Sequence, residues 1–97
     1  MARTRKASHD FPTDEDFVDT LRARLRGDPT DLDGLMALGV WLLDRDQPDK
    51  ALECFHRITR KDAAYPGIWR LKARAFEALG DHESADLCRK RGLDKHS

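Results

Sequence analysis

LDGLMALGVWLLDRDQPDKALECFHRITRKDAAY, residues 32–65, falls into two helical halves around one break. Leu32, Leu35, Leu38, Leu42 and Leu43 recur at the three- and four-residue steps that place side chains on one face of an α-helix. Asp46-Gln47-Pro48 interrupts the pattern. Proline there suits the first turn of a new helix, where its missing N–H has no partner to lose. Ala51, Leu52, Phe55 and Ile58 then resume helical spacing. Two helices joined by so short a turn fold back on each other, which predicts an antiparallel pair.

The pattern returns downstream. A shift of 34 positions lays Leu35 on Trp69, Gly39 on Ala73, Leu42 on Phe76, Ala51 on Ala85 and Cys54 on Cys88. Pro66 opens a fourth helix bearing Ile68, Trp69, Ala73, Phe76 and Leu79, and Gly80 stops it. Asp81 caps a fifth helix carrying Ala85, Leu87 and Cys88, which Gly92 ends. Upstream, Thr13 is an N-cap with Asp16 three residues on, and Phe17, Leu21 and Leu25 mark a first helix. Gly27 ends that helix and Pro29 blocks its continuation. Alternating apolar segments, the signal of strands, are absent. The expected fold class is all-α: antiparallel helix pairs stacked in a row, about five helices in all.

On these residues the chain resembles the tetratricopeptide repeat family. That family places a large apolar residue, then Leu-Gly, then an aromatic on the first helix of its unit, and an Ala and an aromatic on the second. Residues 32–65 match with Leu35, Leu38-Gly39, Leu42, Ala51 and Phe55. Residues 66–94 match with Trp69, Ala73, Phe76, Gly80 and Ala85. Small residues at Gly39, Ala51, Ala73 and Ala85 would let paired helices approach closely while the bulky positions fill the space between. Pro29 stands three residues before a repeat start, where the family often has proline, so the first helix counts as half of an incomplete unit. The resulting domain spans 13–94, between a disordered basic tail over 1–12 and a short tail over 95–97. Lys72 departs from the family's Leu, with Leu71 beside it as a substitute. Asp86 and Arg89 hold positions that would pack against a further repeat and read as a C-terminal cap.

The resemblance implies a concave groove lined by the first helix of each unit. Asp33, Met36, Ala37, Val40 and Leu43 would come from the first unit, and Gly67, Arg70, Leu71, Arg74 and Glu77 from the second. Arg70 and Arg74 lie one helical turn apart and point the same way. With Met36 and Val40 as a floor they suit a peptide or helix carrying acidic and aliphatic residues, since arginine forks match carboxylates and methionine adapts to irregular apolar shapes. The alternative is that both arginines are solvated helix positions paired to nearby acids. The family's chaperone-tail clamp relies on asparagines; this chain has none, and Val40 and Leu71 stand at the matching positions.

Composition narrows the function classes. Eighteen basic and eighteen acidic residues cancel, so no global charge draws the chain to nucleic acid or an anionic membrane. Residues 1–9 carry a charge of +3, 10–56 of −7 and 57–97 of +4. No apolar run approaches the ~18 residues of a membrane span. Cys54 and Cys88 are the only cysteines, too few for an extracellular disulfide framework, which makes a reducing, cytoplasmic location the expectation. Cys54 and His56 diverge around one helix, and no Cys or His spacing suits zinc. Trp41 falls where the family prefers a small residue, either packed against the first helix or exposed at a contact surface.

The expectation is therefore a non-catalytic protein–protein interaction module, an adaptor or scaffold without cofactor, metal or small-molecule substrate, acting as monomer or weak dimer. Two alternatives remain. An acidic front meeting a basic back would give a head-to-tail oligomer. The basic last helix, with Arg89, Lys90, Arg91 and Lys95, would contact nucleic acid, although two repeats would read almost nothing of a base sequence.

Overall fold

The computed structural model describes residues 14–94, and among them it contains helices and turns but no strand. The five helices are α1 (Asp14–Gly27), α2 (Leu32–Asp44), α3 (Pro48–Lys61), α4 (Ile68–Ala78) and α5 (His82–Asp94). Each packs on its neighbour in the chain, α2 also touches α4, and α1 touches α2 alone. The helices thus form a row of hairpins, an all-α helical-repeat-like fold. The two expected tails and the Thr13 cap lie outside the described residues.

The helix boundaries follow local chemistry. Asp31 caps α2: one carboxylate oxygen accepts the Gly34 N–H at 3.0 Å, and the other accepts from Arg24 at 2.7 Å, tying the last turn of α1 to the start of α2. Pro48 is the first residue of α3. Gly80, just past α4, has φ 82°, a left-handed conformation that a side chain would strain. Asp81 accepts from the Ser84 backbone N–H at 3.1 Å and from its hydroxyl at 2.7 Å, capping α5.

Two boundaries differ from expectation. α4 starts at Ile68, because Tyr65-Pro66-Gly67 forms a turn closed by the Ile68 N–H donating to the Tyr65 carbonyl at 3.2 Å. α5 runs past Gly92 to Asp94. Gly92 serves packing instead, since a Cβ there would stand 3.3 Å from that of Trp69.

One continuous core runs through four helices, from Val18 and Leu21 through Leu35, Leu38 and Leu42 to Leu52, Phe55, Ile58 and Ile68. Its tightest point is Gly39. A Cβ on that residue would lie 2.3 Å from the Phe55 ring, which is itself fully buried, so α2 and α3 can close on each other only without a side chain at 39. Ala73, Ala85 and Cys88 form a separate small cluster between α4 and α5, joined to the main core through Trp69 and Phe76.

The apolar faces shift slightly from expectation. α1 turns inward along Val18 and Leu21, leaving Phe17 44% exposed, and Leu79 and Leu87 are exposed as well. Leu71 packs partly buried against the core as expected, and Lys72 beside it is buried as well. Lys72 is only 6% exposed, with its ammonium 4.5 Å over the Trp69 ring and 3.4 Å from the Thr59 hydroxyl. Burial pushes that amine below its ordinary value.

Candidate functional site

The residues expected to line a groove separate into two settings. On α2, Met36, Ala37, Val40 and Leu43 are half-buried, and Met36, Ala37 and Leu43 pack against the core. Asp33 is exposed and accepts a hydrogen bond from the Tyr65 hydroxyl. That bond, together with partial burial and the surrounding carboxylates, pushes the Tyr65 phenol up to about 12. The Met36 side chain ends 3.9 Å from where a Cβ on Gly67 would stand, which brings α2 against the start of α4. This meeting point has an apolar floor, an acid and a phenol.

On α4 the side chains divide. Leu71 packs inward against the core, while Arg70 and Arg74 are exposed one turn apart. Neither arginine has a partner among the described residues, so the reading that they are merely paired to nearby acids has no support in the contacts. Glu77 points to α5. It accepts from Arg89 at 2.6 Å and pairs with His82, and Arg89 also reaches Asp86 at 2.8 Å. The Arg89 bond, then the His82 bond, hold the Glu77 carboxyl below its ordinary value, and the same partner raises Arg89. Glu77 is thus engaged in the α4–α5 hairpin's own ion pairs, apart from the α2 residues.

Sequence reading missed a depression of about 410 Å³ at the far end of the row. Tyr65, Gly67, Trp69, Arg70, Arg89 and Leu93 are among the residues that line it, drawn from the α3–α4 turn, the start of α4 and the end of α5. Its aromatic wall is fixed: the Trp69 Nε1–H donates to the Ala63 carbonyl at 2.7 Å, and the cationic groups of Lys72 and Arg91 stand 4.5 and 4.6 Å from the ring centre. A second hollow of about 400 Å³ collects Arg57, Arg60 and Lys61 around Pro29 and Thr30, with no aromatic wall. Arg57 is anchored there, donating to the Pro29 carbonyl at 3.1 Å.

The reactive side chains are placed for packing. Cys54 and Cys88 are free and buried, and burial pushes both thiols up. Trp41 packs half-buried against the core with the Arg45 guanidinium 5.2 Å over its ring, and its buried Nε1–H meets no acceptor among the described residues. Among the described residues there is no group of three or more His, Cys, Asp or Glu arranged to hold a metal ion, and no helix long and apolar enough to cross a membrane. Set against family models, curated proteins and solved structures, the chain matches none of them.

Proposed function

We propose that the chain is a non-catalytic protein-interaction module of the tetratricopeptide type, an adaptor that takes a peptide or helical segment of another protein along α2 and α4. The observation that carries this reading is the pair Arg70 and Arg74, exposed on one face of α4 and without partners among the described residues, next to a helix whose outer residues are half-buried and apolar. Guanidinium groups one turn apart, with no ion pair to break among the described residues, each offer a two-pronged bond to an arriving carboxylate. Met36 and Val40 add apolar contact that a solvated helix face would lack. Acidic and aliphatic segments are the ligand chemistry this surface suits, and the packed, buried state of both thiols fits a binding role rather than nucleophilic chemistry.

A displayed library of random peptides, selected in parallel on the wild type and on a Val40→Glu/Arg74→Glu double variant of confirmed helicity, tests the reading. Enrichment of acidic–aliphatic sequences on the wild type, lost on the variant, is the expected result. Equal enrichment on both proteins would remove the α2–α4 surface from consideration.

A further inference from the structure

The hollow beside the α1–α2 turn gathers three cations with no anion paired to them. Arg57, Arg60 and Lys61 line it from the C-terminal part of α3, Pro29 and Thr30 from the turn, and the buried Leu35 from α2. Arg57 stands three residues before Arg60 and four before Lys61, the spacings that put side chains on one helix face. None of the three makes an ion pair among the described residues. Arg57 is nonetheless held in place, because one of its terminal nitrogens donates to the Pro29 carbonyl. Its remaining N–H groups meet no acceptor among the described residues.

The missing anion is a product of local bonding. Asp28, Asp31 and Asp62 are the carboxylates next in sequence to these residues, and each is engaged elsewhere. Asp28 accepts the Thr30 N–H at 3.0 Å and the Thr30 hydroxyl at 2.7 Å. Asp31 caps α2 and holds Arg24. Asp62 accepts the Ala64 N–H at 2.9 Å. Complementing the negative end of α3 accounts for Arg60 and Lys61, which lie in its last turn. It does not account for Arg57, one turn earlier and tied across to another element. Other cations of the chain stand differently: Lys72 and Arg91 lie against Trp69, and Arg89 is bound by Glu77 and Asp86.

We propose that this hollow binds a phosphate monoester, with Arg57, Arg60 and Lys61 around its phosphoryl oxygens. A monoester carries close to two negative charges at neutral pH and three strong acceptor oxygens. That suits three clustered cations better than the single charge of a carboxylate or a phosphodiester. A guanidinium takes two oxygens at once, and an ammonium adds a compact point charge. Pro29 and Leu35 offer apolar contact to the carbon beyond the ester oxygen. A small phosphorylated molecule and a phosphorylated side chain present the same group. The site lies apart from Arg70 and Arg74 and does not depend on their role.

NMR of the full chain at low salt, titrated with blocked O-phosphothreonine, tests the proposal. Saturable shifts are expected at Thr30, Arg57, Arg60 and Lys61, with a Kd of about 1 mM for so small a probe. Arg60→Gln/Lys61→Gln should bind about tenfold more weakly. Lys50→Gln/Lys90→Gln removes the same charge outside the hollow and should stay within about twofold of the wild type. All four side chains are exposed, so the helices survive either pair of changes, which circular dichroism checks. The same phosphothreonine within a short peptide separates the sources: tighter binding of the peptide assigns the site to phosphorylated proteins, and equal binding to small phosphorylated molecules. No saturable shift at the hollow, equal loss in both variants, or equal affinity for the diester dimethyl phosphate would overturn the proposal.

Discussion

The hairpins α2–α3 and α4–α5 carry the same pattern and end in different chemistry. In the first, Gly39 lets the Phe55 ring close completely, and neighbours on both sides, α1 and α4, seal the pair. In the second, Ala73 stands at the position of Gly39 and Arg89 at that of Phe55, and Arg89 turns outward to Glu77 and Asp86. Only Ala73, Ala85 and Cys88 are buried in that pair's own cluster. The difference teaches that one repeat pattern specifies where helices turn, while the residues at two or three positions decide whether a face is sealed or left for something else to cover.

The largest test of this contrast is Phe55→Ala against Arg89→Ala. Removing a fully buried ring destabilises by about 3–5 kcal/mol, whereas removing an exposed, solvent-screened arginine costs far less. Urea unfolding followed by helicity measures both, and similar losses would mean that the two hairpins are equally sealed.

A finer test uses the two tryptophans. Trp69 donates its Nε1–H to the Ala63 carbonyl, so Trp69→Phe removes a hydrogen bond as well as packing and costs about 1–3 kcal/mol. Trp41 buries the same group without an acceptor among the described residues, so Trp41→Phe removes an unsatisfied donor together with some packing and stays within about 1 kcal/mol of the wild type. The same denaturation series ranks them, and a costlier Trp41→Phe would reverse the assignment.

The smallest expected effect depends on pH. The Glu77 carboxyl is held below its ordinary value of 4.5 in the folded state, chiefly by Arg89. Its contribution to stability is therefore present above that value and lost as pH falls through the lowered folded value. Melting curves of wild type and Glu77→Gln should differ near neutral pH and converge in acid, and a gap unchanged by acid would detach Glu77 from the ion-pair cluster.

Much of the fold was legible because its signals are local. Pro48 at the start of α3, Gly80 after α4 and Asp81 before α5 act through their own backbone geometry and side-chain bonds, which neighbours in sequence reveal. Gly39 was legible through the 34-residue shift that lays it on Ala73, although its contact with Phe55 was not. The facing of α1 was not: Phe17 and Val18 are adjacent apolar residues, and only the position of α2 decides that Val18 turns inward. The candidate site was less readable still. Glu77 shares a stripe with Arg70 and Arg74, yet its partners His82 and Arg89 come from the next helix. The terminal depression draws together residues 64–70 with Arg89, Gly92 and Leu93, which no periodicity links.

The setting of Trp69 has a further consequence, an optical one. An indole's emission responds to what surrounds it, and the two indoles of this chain sit in different hairpins under different conditions. Trp69 has two cations close to its ring and its N–H engaged, while Trp41 lies beneath one guanidinium with its N–H meeting no acceptor among the described residues. Chains keeping only one indole each would light up one hairpin at a time. The molecule thus carries its own pair of distinguishable lamps, and anything that settles against the Trp69 wall of the depression would register in one of them and leave the other dark to it.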